Sequence, residues 1–251
     1  WITAAHLSAL GHATSLATML PSASICGLIR PELEASEIDL SLSTVLPEEA
    51  GLQITVAMAG CGDRAFLTRR AGPAFPRLSS DDLARCQARH VHIGEVSSLV
   101  SRPEIIDIAR ANGMSISVDC GWDDGLDARS LRRISGLVDV FLPNEAEWAW
   151  IEAIGLGGEF APITIVKRGA SGASAIWNGA VIEAGVSPIE ALDTTGAGDA
   201  FNAGFLSHWL TGRDLPDCLA AGNSRAALTL RRSGGFSKDM DTPSNVGAAG
   251  G

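Results

Sequence analysis

The chain has 251 residues, with 19 Lys plus Arg against 29 Asp plus Glu and a formal net charge of −10. Its 46 % apolar and 19 % charged residues describe a folded globular chain and exclude a disordered one. The acidic balance argues against basic-surface contacts with nucleic acid or an anionic membrane, and no apolar run approaches the ~18 residues of a membrane span.

The elements alternate in type along the chain. Ala4–Leu10 reads as a helix closed by Gly11, and His12–Leu20 as a strand ended by Pro21. A helix is expected over Leu28–Glu37, with Pro31 near its first turn. Leu52–Met58 and Arg64–Thr68 flank a Gly-rich connector and form a hairpin pattern. Ser79-Ser80-Asp81-Asp82 is a helix start signal for Ser79–Arg89. Then follow strand His90–Ile93, helix Pro103–Asn112, strand Ser115–Val118, helix Leu126–Ile134 and strand Val138–Leu142. Helix Glu145–Ile154 and strand Ile163–Val166 continue the rhythm. Ala173–Trp177 and Val181–Glu183 flank Asn178-Gly179, a two-residue turn signal. Helices Ala197–Leu210 and Pro216–Arg231 close the pattern, ahead of a Gly/Ala tail after Val246. Strands alternating with helices imply βαβ units and a mainly parallel sheet in one domain.

The five cysteines, Cys26, Cys61, Cys86, Cys120 and Cys218, contain no C-x-x-C. They read as reduced thiols of a cytoplasmic protein. The N-terminus carries no basic-then-apolar signal pattern. His6, His12, His90, His92 and His208 show no metal spacing and read as structural.

The most informative string is Asp193-Thr194-Thr195-Gly196-Ala197-Gly198-Asp199-Ala200-Phe201, which opens a helix. Small residues at a helix start let backbone N–H groups converge on an anion, and the helix end adds positive potential there. A phosphoryl group in transfer calls for donors placed where its charge develops. Asp199, in the first turn, can take a proton from an attacking hydroxyl. A bare G-x-G-D also fits a tight turn with an N-terminal helix charge; the nine-residue string is far more specific.

That string resembles the C-terminal signature of the ribokinase-like (PfkB) family of sugar and nucleoside kinases. The resemblance implies an α/β fold, a doubly wound, mainly parallel sheet flanked by helices, with a small β lid over residues 51–70. It implies ATP as phosphoryl donor and Mg²⁺. Asp199 would be the catalytic base and contact the substrate. The amides of Gly196, Ala197 and Gly198 would form the anion hole, with Thr195 on the nucleotide side. Pro143-Asn144-Glu145-Ala146-Glu147 resembles the family's N-x-x-E motif, in which Asn144 and Glu147 organise Mg²⁺ through its waters. The same residues also fit an N-cap and capping box. Ile165–Gly172 resembles the strand-end nucleotide loop: Gly169 and Gly172 would admit ATP and Lys167 would reach a phosphate, unless the segment is an ordinary turn with a solvated Lys167-Arg168 pair. Asn223 would border the adenine, or be a polar helix residue. Asp193 would join a monovalent-cation site such as one for K⁺.

Substrate contacts are less legible. Glu95 and Asp119 sit at strand carboxyl ends, where open α/β sheets place ligands; each also fits a solvated loop acid. The family's first strand, early substrate-binding acid and di-glycine would precede Trp1. Ile2 stands where the family carries Asn, and Pro21-Ser22-Ala23 where Gly-Asp-Asp is usual. The expected protein is one kinase domain over 1–251, phosphorylating a small sugar as ribokinases and fructokinases do, with a homodimer through the lid. The alternatives are a nucleoside kinase on the same fold or a non-catalytic sugar- or nucleotide-binding relative. A dinucleotide enzyme would need G-x-G-x-x-G after the first strand, and this glycine cluster lies near the C-terminus.

Overall fold

The structure, a computed structural model, describes residues 1–51, 54–60, 63–69, 72–121, 126–158 and 160–241. Helix α1 (Ile2–Ala9) opens the chain. The segment expected as strand His12–Leu20 supplies only β1 (Met19–Leu20), paired in parallel with β2 (Thr44–Val45). Before β1 the segment keeps only an isolated parallel bridge between Ser15 and Asp39, with the Leu16 N–H donating to Asp39 O at 2.8 Å, while the Thr18 N–H donates to Ser43 Oγ. Helix α2 (Ala23–Ala35) starts five residues earlier than expected and runs through Pro31. Strands β3 (Ile54–Gly60) and β4 (Asp63–Arg69) form an antiparallel hairpin with a sheet of its own. Cys61 and Gly62 in its connector, and the tail after Val246, lie outside the described residues.

Beyond α3 (Ser80–Cys86) the expected alternation holds. The order is β5 (His90–Ile93), α4 (Val96–Ser101), α5 (Glu104–Ala111), β6 (Ser115–Asp119), α6 (Ala128–Ile134), β7 (Val140–Leu142) and α7 (Glu145–Ala153). Then come β8 (Ile163–Lys167), β9 (Ala173–Trp177), β10 (Ala180–Ala184), α8 (Ala197–Trp209) and α9 (Leu215–Thr229). The central sheet runs β10-β9-β8-β7-β6-β5, with β5 to β8 parallel and β9 and β10 antiparallel. Asn178 and Gly179 turn the β9–β10 hairpin at φ +51° and +77°, as an Asn-Gly pair allows.

Side chains alternate across the strands, so each sheet face has its own core. One face buries Ile93, Ile116, Val118, Phe141 and Val166 under α3 to α7, with Phe141 stacked on Phe160 at 4.0 Å. The other buries Val140, Leu142 and Ile165 under Leu7 of α1, Phe201 and Phe205 of α8, and Leu219 of α9. Helices on both faces make the fold doubly wound. The second face is not apolar throughout. Where it meets β5 and β6 it carries His90 and His92, hydrogen-bonded to Ser115 and Ser117. That polar strip lies near α8, whose Trp209 ring meets His90 edge-on.

Candidate active site

The parallel strands all end on one side, and their carboxyl-end residues bring polar groups to the start of α8. Asp193 braces the approach: Oδ1 accepts from the Thr195 N–H at 2.9 Å and Oδ2 from the Gly234 N–H at 3.0 Å. Both oxygens of the residue expected in a monovalent-cation site thus hold backbone. Gly196 follows at φ +73° as the N-cap of α8. A Cβ there would lie 2.6 Å from Gly235 Cα, so only glycine fits this approach of two backbones.

The next turn is left open. Asn144, Ser79, Asp127 and Asp214 cap their helices with side chains, whereas α8 has no side-chain cap. The Ala197 N–H reaches Thr194 O at 3.3 Å, and the N–H groups of Gly198 and Asp199 have no hydrogen-bond partner among the described residues. Thr194, Thr195 and Gly198 are exposed. Unpaired, solvent-facing donors at the start of a 13-residue helix fit an anion.

Asp199 is half-buried beside them. Thr3 Oγ1 donates to its Oδ1 at 2.6 Å, and Oδ2 has no hydrogen bond among the described residues. One oxygen is therefore oriented and the other is available as a base.

Lys167, at the end of β8, does not project free toward a phosphate as expected. Its Nζ bonds both carboxylate oxygens of Asp119, at 2.9 and 2.8 Å, and Asn202 Oδ1 at 3.3 Å. Those three contacts use all three ammonium hydrogens. Asn202 Nδ2 returns to Asp119 at 2.5 Å. The Lys167 and Asp119 side chains are 14 % and 16 % exposed, so the pair is poorly screened. Nζ lies 3.7 Å from the position of a Cβ on Gly198, which brings positive charge against the open turn without a free donor.

Asn144 and Glu147 form a complete capping box: Glu147 Oε2 accepts from the Asn144 N–H at 2.7 Å, and Asn144 Oδ1 accepts from the Glu147 N–H at 2.9 Å. The structural alternative read from the sequence is thus realised. Asn144 Oδ1 and Glu147 Oε2 each accept one backbone N–H in it. The Lys167 N–H donates to Pro143 O at 2.9 Å and joins this loop to the end of β8. Glu147 is buried, and its charge is felt by Cys120. Burial first, then Glu147 and Asp119, push the Cys120 thiol well above its ordinary range and keep it protonated and unreactive. Among the described residues no group of three His, Cys, Asp or Glu could hold a metal ion.

In the loop that follows β8, Gly169 (φ +54°) has open space around it, and Gly172 (φ +87°) abuts Ala184 O, which a Cβ would meet at 2.1 Å. Asn223 Nδ2 donates to the same carbonyl at 2.9 Å. The Asn223 amide, expected beside the adenine, thus ties α9 to β10. Glu95 stands at the N-cap position of α4 without a side-chain cap bond and accepts from Ser98 Oγ at 2.7 Å, with its Cβ against Gly121.

Sequence reasoning missed Thr3 and Asn202. Asn202 had a readable signal, since it lies three residues after Asp199 on the same helical face. Thr3, 196 residues from its partner, had none.

The model of the pfkB family carbohydrate kinases matches residues 3–242. A nucleoside kinase of Methanothermobacter thermautotrophicus is 29 % identical over 244 residues, 94 % of this chain and 78 % of that protein. A fructokinase of Klebsiella pneumoniae is 30 % identical over 217 residues, 77 % of this chain and 69 % of that protein. The structure of a ribokinase II from E. coli in complex with ATP and Mg²⁺ superposes with a TM-score of 0.77 at 26 % identity, covering 93 % of this chain and 82 % of that one. The chain belongs to the PfkB family of carbohydrate kinases.

Proposed function

We propose that the chain transfers the γ-phosphoryl group of ATP to a hydroxyl of a small sugar, either free or as the ribose of a nucleoside. The observation that carries this reading is the pairing of two unpartnered N–H groups, on Gly198 and Asp199, with the unpartnered Oδ2 of Asp199. Asp199 accepts the hydroxyl proton through Oδ2. The open turn of α8 then receives the charge that develops on the migrating group, with Lys167 adding positive potential behind Gly198. Losing one such preorganised donor typically costs ~3 kcal/mol of barrier. Glu147 and Asn144 would hold Mg²⁺ through its waters, and when bound the ion screens the phosphate charges. Gly169 gives the nucleotide an open approach, while Gly172, Asn223 and Asp193 hold the backbone around it. A non-catalytic relative would have no use for an oriented carboxylate with one free oxygen, and this favours the enzyme.

The lid hairpin exposes Ile54 and Val56 on one face, with Leu67 paired opposite Val56. An apolar face on a two-stranded sheet supports a homodimer in which two lids cover each other.

The test is a coupled ADP-release screen over pentoses, ketohexoses, ketoacid sugars and nucleosides. Acceptor-dependent ADP formation by this chain is the expected result. ATP binding without transfer to any acceptor would favour the sensor reading.

A further inference from the structure

His92 was read from the sequence as structural. Its hydrogen bonds assign it more. Ser115 Oγ donates to the Arg89 carbonyl at 3.4 Å and contacts His90 Nδ1 at 2.8 Å. Ser117 Oγ lies 2.8 Å from His90 Nε2 and 2.8 Å from His92 Nδ1. Each serine has one hydrogen to give. Burial holds both imidazoles neutral, with His90 lowered to about 3 and His92 to about 4, so each ring carries one N–H.

The hydrogens can run along this chain in either direction, because the 2.8 Å contact of Ser115 Oγ with His90 Nδ1 is shorter than its 3.4 Å contact with the Arg89 carbonyl. Both directions end at His92 Nε2, as a bare acceptor in one and as an N–H in the other. That atom is shielded from bulk solvent and has no hydrogen-bond partner among the described residues. An unpaired buried polar atom costs ~1–3 kcal/mol. The atom stands at the carboxyl end of β5, where ligands sit in open α/β sheets. The charges of Asp119 and Asp199 both reach the ring, and the residue as a whole keeps partial exposure.

Building on the kinase reading above, we infer that His92 Nε2 hydrogen-bonds a second, non-reacting hydroxyl of the acceptor, which makes His92 a specificity-determining residue beside Asp199. The acceptor class follows: a polyol that offers one hydroxyl to Asp199 and another to His92. A mono-alcohol, or an acceptor whose second hydroxyl is replaced by hydrogen, leaves Nε2 unpaired and is disfavoured.

Two measurements test this on the unmodified chain and on variants. In ¹⁵N NMR of the histidine rings at pH 7, the His92 Nε2 resonance should move when D-ribose, D-fructose or cytidine is added at saturation. A resonance that none of the three moves overturns the inference whether or not the chain turns over. In kinetics, His92→Leu should raise the KM of the active acceptor by about tenfold, with the ATP KM unchanged and His92→Gln partly restoring it. The monodeoxy analogue that most weakens wild-type turnover should lose no further activity in His92→Leu. An equal penalty for the missing hydroxyl in both proteins overturns the inference while leaving the kinase reading intact. No ADP release with any acceptor would instead count against the kinase reading, and the NMR result would still decide the role of His92.

Discussion

Thr3 donates a 2.6 Å hydrogen bond to Asp199 across 196 residues of sequence. Thr3 is buried on α1, so the Asp199 carboxylate is held by a helix that packs along α8 from the other end of the chain. A hydrogen bond to a charged group is worth about 1.5–3 kcal/mol. Thr3→Val, which keeps the shape and removes the donor, should lower kcat at least about tenfold with the ATP KM unchanged. Thr3→Ser should retain most activity. Equal losses in both variants would show that Thr3 serves packing alone.

The two glycines of the signature should fail differently. Gly196→Ala places a Cβ 2.6 Å from Gly235 Cα at φ +73°, and neither backbone can retreat. Strain of this kind costs about 1–3 kcal/mol before the clash is counted, or a Tm loss of several degrees in a chain of this size. At Gly198 the nearest atom is Lys167 Nζ at 3.7 Å, a movable side-chain end. Gly198→Ala should keep a near-native Tm and lose turnover. Thermal melts beside kcat separate the two; matching Tm losses would contradict the division into a packed side and an open side.

The Asp119–Lys167 pair is shielded enough for its loss to matter, at 16 % and 14 % exposure. Removing one partner strands a charge, at a cost of about 3–5 kcal/mol for a buried pair. Lys167→Met should therefore destabilise the fold more than Lys167→Met combined with Asp119→Asn. Urea denaturation of both single variants and the double variant measures the coupling. Additive losses would mean that the pair acts independently.

His90 and His92 make stability pH-dependent. Both rings are neutral when folded, down to about 3 and about 4, because burial penalises their charged form. In the unfolded chain they take up protons near pH 6.5. The unfolded state binds more protons below that value, so stability should be full above pH 6.5 and fall steadily toward pH 4. Urea midpoints between pH 7.5 and 4.5 should show this slope, and His90→Gln with His92→Gln should flatten it. An unchanged slope in the double variant would contradict the assignment.

Much of the fold was legible because local signals agreed with the period of each element. His90–Ile93 and Ala173–Trp177 are strands within the expected bounds, and Asn144 and Ser79 cap helices as their sequences indicate. Helix α4 was missed: six residues with three serines and no side-chain cap carry little periodic signal. The strand expected over His12–Leu20 is realised only as β1 and an isolated parallel bridge at Ser15, and between them the Thr18 N–H turns to Ser43 Oγ. At the site, the glycine turn and Asp199 were readable as a contiguous string. The Asp119–Lys167–Asn202 network was not, because its members stand 35 to 83 residues apart and meet only when β6, β8 and α8 pack together.

The most direct measurement is acceptor-dependent ADP release by Asp199→Asn, set beside ATP binding by calorimetry. Asparagine keeps the size of the side chain and the contact with Thr3, and it removes the group that can take the proton. Turnover should disappear while the ATP affinity stays within a few-fold of the parent chain. ADP release at the parent rate would show that the carboxylate at the start of α8 is not the base, and the account of the site would fail with it.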